Sequence, residues 1–507
     1  MCGIVWFIGS VNNTIKNKID QWMQAIINRG KSRTDIEDKN LYAKYWRLPT
    51  SWVWVSIKDL RIHDDTTLLY NWIIYNHREL AELYEVKEYI NDTDLLKQIL
   101  DNKRDTIESI VSSLRWMFAI VYYSDWKLFL VRDTVWVKPL YYSIWKSWLA
   151  FWSEKKSLVW FEKTIYEVLP WQIVSYSLDK KDIHKSSFEF AKPVLENETL
   201  CSLLIDAVVT PTIDYLNETE NKSIGLLLSW WLDSSLLLQL LANHLPEKMT
   251  KRVRCYALWV EWSEDVTNAQ LLANTLGFSL KHISVDESLL IQNIISITHL
   301  VESPSARVVR VWILLECLAK AIRDDDIDVV ISGEWADELF YWYQRFNDIS
   351  DIPEMLDICY NLFLKKIFYN SLLQRLDRVF SSYTIESRVP FCDQKIVGFA
   401  ASLSAHEKIV GWFEKYPLRK LGEEIGLLDQ ITRRKKMKLT VWATKKWNTN
   451  TSWWLFEQWT KELFWKSFWT LCEENYIKNY SKDGVILSAF VTDEKKLFES
   501  FPWYVFY

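Results

Sequence analysis

Glycine is the residue that this sequence lacks most clearly, with 11 in 507 residues, where about 7 % is usual. Tryptophan is abundant instead, at 30 residues. A chain of this length needs glycine at tight turns and at close backbone contacts. Because the two residue types together reach the usual share of glycine plus a few tryptophans, the composition indicates that tryptophan stands in place of glycine.

Other scarcities exclude several classes of protein. The seven cysteines are odd in number and widely spread, which excludes a disulfide framework or a CxxC metal site and favours the reducing cytoplasm. A net charge of -5 excludes an electrostatic surface for nucleic acid. The longest apolar stretch, 226–241, contains Asp233 and three serines, so we expect no membrane span, and no signal-peptide pattern opens the chain.

The length predicts two or three domains. The first 155 or so residues contain short β-rich runs and two helical segments. Residues 117–123 and 127–132 are predicted to pair around a turn at 124–126, and 173–178 is predicted as a further strand. The polar stretch 179–197 is predicted to be the domain linker.

From residue 198 the pattern changes to helices that alternate with short apolar runs. These runs lie at 224–228, 254–258, 279–285 and 329–331. Strands separated by helix-length segments predict a parallel sheet with helices on both faces. After residue 350 the pattern is almost wholly helical.

Cys2 follows Met1 directly, so removal of Met1 would leave a thiol and a free α-amine on one residue. That amine, with an ordinary pKa near 8, is a general base close to working pH. An ordinary cysteine is the alternative for Cys2 taken alone. The segments that follow it in order favour a nucleophile: 28–30, 71–76, Asp92, 114–119, 132–133, 139–141 and 151–154.

In this order the segments resemble the class II glutamine amidotransferases. The resemblance covers residues 2–185 and implies an α+β domain, a four-layer αββα sandwich of the N-terminal nucleophile hydrolase type. It implies that Cys2 attacks the side-chain amide of glutamine and releases ammonia through a thioester. Asn71 and the backbone N–H of Trp72 would form the oxyanion hole, and Asp92 would bind the α-amine of glutamine.

Two positions depart from this family. Ile73 stands where the family has a glutamate that binds the glutamine α-amine, and Trp54 stands where it has an arginine. Both changes remove a charged contact to glutamine. An enzyme that uses free ammonia therefore stays an alternative.

An apolar strand runs into Ser229-Trp230-Trp231-Leu232-Asp233-Ser234-Ser235 and then into an apolar helix. Small residues at such a junction let the backbone approach phosphate, and the helix N-terminus presents its N–H groups. The serine hydroxyls add donors, and Asp233 is suited to Mg²⁺. A serine-rich helix cap is the alternative. With glycine at 230 and 231 the loop resembles that of the ATP pyrophosphatases.

Three further segments resemble the synthetase domain of the asparagine synthetases. They are 331–340, 375–378 with 386–393, and 415–420 with 434–436. The resemblance implies an α/β domain over 198–507, with a parallel sheet of the ATP-pyrophosphatase (HUP-like) type and a helical tail from about residue 450.

The same resemblance implies roles for single residues. Asp233 and Asp337 would bind Mg²⁺, and Glu334 would orient the incoming ammonia or take its proton. Lys436, which could also be a surface lysine in a basic run, would contact phosphate and offset charge on the intermediate. The other implied nucleotide contacts are Ser229, Trp230, Trp231, Leu232, Ser234, Ser235, Leu258, Ser332 and Gly333.

The implied reaction activates aspartate with ATP to β-aspartyl-AMP, releasing pyrophosphate, after which ammonia displaces AMP. ATP and Mg²⁺ are the implied cofactors, and aspartate and glutamine are the other small-molecule ligands. No nucleic-acid or membrane partner is expected, and a homodimer is compatible with the family. Because free ammonia protonates in water, we expect a buried tunnel between the domains.

Four alternatives belong to other classes of function. A β-lactam synthetase is disfavoured, because it lacks the N-terminal cysteine and has tyrosine in place of Glu334. An amidotransferase that acts on another carboxylate, a degenerate member without glutaminase activity and a non-catalytic nucleotide-binding protein stay open.

Tryptophan stands at eleven positions where these families have glycine: 6, 72, 116, 136, 152, 171, 230, 231, 259, 335 and 342. An indole at 230 and 231 would fill the space that phosphate needs. Our hypothesis is that the source reads UGA codons as glycine. A degenerate pseudoenzyme is the alternative. Tyr341, also at a family glycine, is not explained in this way.

Overall fold

The computed structural model describes residues 2–8, 13–24, 26–30, 32–38, 41–47, 66–71, 74–102, 105–115, 117–133, 135, 137–145, 148–154, 164–188, 198–229, 231–259, 264–284, 300, 306–340, 374–411 and 413–434. The side chains of some strand and helix residues, that of Cys2 among them, are outside this description. Trp54, Trp72, Ile73, Tyr341 and the predicted tail from residue 450 also lie outside the described residues.

The first half contains two antiparallel sheets. Its strands are β1 (Cys2–Ile8), β2 (Ser32–Asp38), β3 (Leu41–Arg47), β4 (Thr67–Asn71), β5 (Ala119–Ser124), β6 (Lys127–Arg132), β7 (Tyr141–Trp145), β8 (Trp148–Trp152), β9 (Tyr166–Glu167), β10 (Gln172–Ser177) and β11 (Asp182–Ser187). One sheet has the order β2-β3-β1-β8-β7-β9 and the other the order β11-β10-β6-β5-β4. The helices are α1 (Asn13–Gln24), α2 (His77–Leu83), α3 (Asp92–Asp101) and α4 (Ile107–Ser113), with a 3-10 turn at Ile27–Arg29.

The two sheets share one apolar core. Leu69 and Val121 from the second sheet pack in the same cluster as Leu149 and Phe151 from the first. The opposite face of the second sheet packs against the helices, where Leu68 and Ile120 join Leu95 of α3. Helix α1 contacts β1 and β3 of the first sheet. The central strands are continuous apolar runs, such as 119–122 and 128–131, and this suits burial of both faces of the second sheet. Four helices already lie within the described residues of this half, which corrects the expectation of two helical segments.

The predicted hairpin is confirmed, with β5 and β6 paired from Ala119↔Arg132 to Ser124↔Lys127. Its two turn residues, Asp125 and Trp126, have φ of 50° and 61°. Two positive φ angles define the hairpin turn that Asp-Gly prefers. Trp126 is therefore a further position that calls for glycine.

The predicted linker is wrong at its start. Residues 182–187 form β11, which pairs with β10 from Gln172↔Ser187 to Ser177↔Asp182. This strand lies at the edge of its sheet and is mostly exposed, so its polar, lysine-bearing sequence suits solvent rather than a core. The predicted strand at 173–178 is confirmed as β10.

The second half contains one sheet in which all pairs are parallel. Its strands are β12 (Ile224–Leu227), β13 (Val253–Trp259), β14 (Ser279–Ser284), β15 (Val329–Ile331) and β16 (Glu386–Arg388). The order is β14-β13-β12-β15-β16. The four predicted strands and their parallel arrangement are confirmed. The short fifth strand, β16, was not predicted, because two of its three residues are charged.

Helices connect and cover this sheet. They are α5 (Leu200–Leu204), α6 (Thr210–Glu218), α7 (Leu232–His244), α8 (Glu247–Thr250), α9 (Glu264–Thr275), α10 (Ala306–Asp324), α11 (Ala336–Leu339), α12 (Gln374–Ser382), α13 (Gln394–Ser402), α14 (Ala405–Lys408), α15 (Tyr416–Glu424) and α16 (Asp429–Thr432). A π-helical segment, Ile205–Val209, joins α5 to α6, and Pro390–Cys392 is a 3-10 turn. None of the described helices is long and apolar enough to cross a membrane.

Two more tryptophans adopt the left-handed backbone conformation. Trp171, before β10, has φ of 55°, and Trp335, before α11, has φ of 78°. Glycine adopts this conformation without steric cost, whereas a bulky residue is an outlier there. Both positions were identified from the sequence as family glycines. Their backbone angles support that interpretation.

A cluster of buried charges joins the two halves. It consists of Arg29, Lys138 and Glu154 from the first half and of Asp377 and Arg378 from α12. Both terminal nitrogens of Arg29 donate to Oδ2 of Asp377 at 2.9 Å, and Lys138 Nζ donates to Oδ1 at 2.8 Å. Arg29 also pairs with Glu154. We call these five residues the interface charge cluster.

A second buried ion pair crosses the same boundary. Arg115 Nη2 donates to Oδ2 of Asp393 at 3.0 Å, and Asp393 is fully buried. Nearby, the hydroxyl of Thr384 donates to the carbonyl of Asn28 at 3.0 Å. Charged side chains are rarely buried unless they are paired. The two halves are therefore fitted to each other by specific polar contacts.

Candidate active sites

The loops after two neighbouring parallel strands meet at the centre of the second sheet. The chain passes from β12 to β13 and β14 on one side and continues with β15 on the other, so the strand order reverses between β12 and β15. In open α/β sheets, ligands bind at such a switch point, beyond the carboxyl ends of the strands. The predicted nucleotide residues 229–235 and 332–337 follow these two strand ends.

The first of these loops is closed by its own hydroxyls. The backbone N–H of Ser229 donates to Oγ of Ser234 at 3.1 Å, and the two hydroxyl oxygens are 3.0 Å apart. Helix α7 begins three residues after Ser229, at Leu232. Oγ of Ser235 in its first turn is buried, with no hydrogen-bond partner in the described part of the chain. A buried donor at a helix N-terminus fits a phosphate ligand.

The second loop packs directly on this helix start. The backbone N–H of Ser332 donates to the carbonyl of Arg388 at 2.9 Å, which anchors the loop to β16. A Cβ added to Gly333 would lie 3.0 Å from the backbone nitrogen of Ser234 and 3.1 Å from Cβ of Asp233. Any other residue would push the start of α7 away by a few tenths of an ångström, so glycine suits this close approach. The fold thus brings together two motifs that are about 100 residues apart in sequence.

The two predicted metal-binding carboxylates lie near each other. The ammonium group of Lys415 pairs with Oδ1 of Asp233 and also with Oδ1 of Asp337. Asp233 belongs to the first turn of α7 and Asp337 to that of α11. From the sequence, Lys415 is only the first residue of the segment 415–420, which resembles the asparagine synthetases. Its role was missed because it is 182 residues from Asp233 in sequence.

Of the remaining predicted residues of this site, the structure describes Glu334 and Leu258. Glu334 is half-buried beside Gly333, and its N–H lies 3.4 Å from Oγ of Ser332. Leu258 is half-buried near the end of β13, next to β12. Trp230 and Lys436 lie outside the described residues.

Two tryptophans lie within these segments, Trp231 in the first and Trp335 in the second. Trp231 is 7 % exposed, and its ring centroid lies 4.4 Å from Cζ of Arg434. Trp335 is 3 % exposed and has no partner for its indole N–H within the described ranges. Arg434 begins the segment 434–436, and the family resemblance implies no role for it. The guanidinium of Arg434, a group suited to binding phosphate, therefore lies against the ring of Trp231.

The predicted glutaminase residues come from both sheets of the first half. Cys2 begins β1 and lies opposite Arg47 of β3, which lies opposite Ser32 of β2. Asn71 ends β4, opposite Ala119, and β4 contacts β1 across the two sheets. The strands that carry Cys2 and Asn71 are therefore in contact.

Asp92 contacts the segment that follows Asn71. Its Oδ2 accepts the backbone N–H of Ile74 at 2.9 Å, and Oδ1 lies 3.3 Å from the hydroxyl of Thr93. Asp92 is also the first residue of α3, whose positive end favours a carboxylate. These contacts orient Asp92 beside the predicted oxyanion segment.

Comparison with known proteins adds to this geometry. An asparagine synthase family model matches residues 219–357 and 354–480, and a glutamine amidotransferase domain model matches residues 1–186. The chain is 27 % identical over 398 residues to the glutamine-hydrolyzing asparagine synthetase of Cricetulus griseus, covering 72 % of this chain and 69 % of that protein. The corresponding human protein is 27 % identical, with the same coverage.

Similarity to solved structures is low, as one example shows. The glutamine phosphoribosylpyrophosphate amidotransferase from B. subtilis, complexed with ADP and GMP, aligns with a TM-score of 0.30 at 12 % identity, over 57 % of this chain and 70 % of that chain. A likeness of this size carries no argument about function.

Proposed function

Because the chain belongs to the asparagine synthase family, we propose that it is an ATP-dependent, glutamine-hydrolysing asparagine synthetase, and hence a carbon–nitrogen ligase. The observation that carries the proposal is the junction of loops 229–235 and 332–337 at the switch point of the parallel sheet. Their close packing at Gly333 makes one site of two motifs that resemble those of ATP-using synthetases.

In the proposed reaction, a β-carboxylate oxygen of aspartate attacks the α-phosphorus of ATP, and the bond to pyrophosphate breaks. Ser229, Ser234 and Ser235, with the N–H groups at the start of α7, would bind the pyrophosphate. Ammonia then attacks the activated carbonyl, and AMP leaves. Glu334, next to the loop junction, would take the proton that ammonia loses.

Asp233 and Asp337 would hold Mg²⁺, which offsets the charge of the phosphates when it is bound. Two carboxylates from adjoining loops fit this ion, because Mg²⁺ in nucleotide sites is bound by one or two carboxylates together with phosphate oxygens. Within the described residues, no group of three His, Cys, Asp or Glu side chains forms a metal cage. The chemistry of the donor set therefore suits a metal that arrives with a nucleotide.

The first half would supply the ammonia, as a domain over 2–185 ahead of a synthetase domain from 198. Cys2 would act as nucleophile, Asn71 and the backbone N–H of Trp72 as oxyanion donors, and Asp92 as the anchor for the α-amine. The core shared by the sheets, with α1 on one side and α2–α4 on the other, supports a four-layer αββα arrangement. Cys255 and Cys392 are free thiols, as is usual in the reducing cytoplasm, which is the location that we propose. We also propose that the protein forms a homodimer.

We also infer that the family-glycine tryptophans are glycine in the protein made by its source. The left-handed backbones at Trp171 and Trp335 and the packing of Trp231 beside the phosphate loop support this. Intact-mass measurement of the natively produced protein tests it, since each replacement lowers the mass by the same amount. A mass of 60.6 kDa, that of the sequence as written, would contradict it.

The activity test uses the full-length protein with glycine encoded at those positions. With aspartate, Mg²⁺-ATP and either glutamine or ammonium, we expect equal amounts of asparagine, AMP and pyrophosphate. Replacing aspartate with glutamate or a peptide carboxylate is the control for the acceptor. Absence of AMP with aspartate, but formation with another acid, would reject the substrate. Product with ammonium alone would locate the defect at Trp54 and Ile73.

A further inference from the structure

Lys415 is a buried cation between the two carboxylates assigned to Mg²⁺. Its side chain is 2 % exposed, those of Asp233 and Asp337 are 7 % and 21 % exposed, and it pairs with both. Two carboxylates held together away from water repel each other unless a cation stands between them. Lys415 therefore does, in this structure, what a bound metal would also do.

The backbone around Lys415 fixes this position. Lys415 has φ of 56°, a left-handed conformation that is unfavourable for a non-glycine residue. Its N–H donates to the carbonyl of Phe340, at the end of the loop that carries Asp337, at 3.2 Å. Its own carbonyl accepts the N–H of Arg419 at 3.1 Å as α15 begins. Lys415 thus belongs to a third segment of the site, separate from the two segments that carry the carboxylates.

We propose that Lys415 is a resident counter-ion, which holds Asp233 and Asp337 in place until Mg²⁺ arrives with the nucleotide and then transfers to the phosphates. The inference rests on the proposed function, because it takes the two carboxylates as metal ligands. Mg²⁺ would bind the same two carboxylates as the ammonium group, and two cations between the carboxylates repel each other.

Whether Mg²⁺ displaces Lys415 from the two carboxylates depends on whether a nucleotide accompanies the metal. Mg²⁺ alone must displace Lys415 without offering it another anion. Mg²⁺ with a nucleotide brings phosphate oxygens, which give the displaced ammonium a new partner. Metal binding should therefore be weak without nucleotide and strong with it. Removing the ammonium should make the carboxylate pair bind metal without that help.

Mn²⁺ binding, measured by electron paramagnetic resonance without aspartate or turnover, tests this on the full-length protein with glycine at the proposed positions. The starting protein should bind Mn²⁺ at least tenfold more tightly with a non-hydrolysable ATP analogue than without it. In Lys415→Met, Mn²⁺ alone should bind at least tenfold more tightly than in the starting protein, and the effect of the analogue should shrink. Lys420→Met is the matched control, because Lys420 is 63 % exposed on α15, the helix that Lys415 precedes.

The outcomes separate the two proposals. Equal Mn²⁺ binding by the starting protein and Lys415→Met, in the absence of nucleotide, would overturn the role of Lys415 alone. Absence of Mn²⁺ binding by either protein, even with the analogue, would overturn the metal assignment of the proposed function as well. If Lys415→Met fails to fold, the starting protein still decides, since equal Mn²⁺ affinity with and without the analogue would refute the exchange.

Discussion

Replacing Asp377 with asparagine tests the interface charge cluster most directly. Asp377→Asn keeps the size of the side chain and removes the charge that pairs with Arg29 and Lys138. Both cations are almost fully buried, at 2 % and 0 % exposure of their side chains. Removing one partner of a buried pair typically costs about 3–5 kcal/mol, because it leaves an uncompensated buried charge. With two cations affected, we expect the upper part of this range.

Urea unfolding, followed by both fluorescence and circular dichroism, measures the loss of free energy of unfolding. Asp326→Asn is the matched control: Asp326 pairs with Lys222 and Arg323, each at 2.7 Å, but its side chain is 68 % exposed. Exposed pairs contribute about 1 kcal/mol or less, so this control should unfold almost as the parent does. A loss below about 1 kcal/mol for Asp377→Asn would refute the reasoning from burial.

The pH dependence gives a second measure of the same residue. Burial opposes ionisation of Asp377, but the charges of Arg29, Lys138 and Arg378 outweigh it and hold the pKa of this carboxyl well below its usual range. The unfolded chain therefore binds the proton first, and this contribution to stability is lost as pH falls below about 4. The stability difference between the parent and Asp377→Asn should shrink over that range. A difference that is constant with pH would contradict this.

Three further predictions follow from single sites. Trp126 is 60 % exposed with φ of 61°, so Trp126→Gly should stabilise the protein by about 1 kcal/mol in thermal unfolding, while Trp126→Ala should not. Cys2→Ala should abolish asparagine formation from glutamine and leave formation from ammonium; loss of both would argue against separate sites. Burial raises the pKa of the Cys255 and Cys392 thiols, so mass spectrometry after iodoacetamide treatment at pH 8 should find both unmodified until the protein unfolds.

The parts of the fold that were predictable are those in which local pattern and burial agree. The strands of the parallel sheet are continuous apolar runs, and burial on both faces requires such runs. The edge strand 182–187 is polar because it is exposed, and its sequence is typical of a linker. In β16, buried Glu386 and Arg388 pair with each other at 2.8 Å, so a charged sequence lies inside the fold. Hydrophobic pattern alone cannot identify such strands.

The candidate site was predictable where its residues are adjacent in sequence. Ser229 to Ser235 are contiguous in sequence, so local spacing indicates their chemistry. Lys415 reaches the same site through tertiary packing, and no spacing relates it to Asp233. The interface charge cluster has the same character, since Arg29 and Asp377 are 348 residues apart. Contacts of this kind depend on how the two halves pack together. The order of residues along the chain gives no sign of that packing.

The interface charge cluster also limits how this architecture can be recombined. A boundary formed by apolar surfaces would tolerate many partners of similar shape. Here each half contributes buried charges that pair across the boundary, Arg29 and Lys138 with Asp377, and Arg115 with Asp393. Either half joined to an unrelated neighbour would bury charge without compensation or separate to hydrate it. The two activities are therefore expected to be inherited together, with compensating changes in both halves rather than by exchange of one.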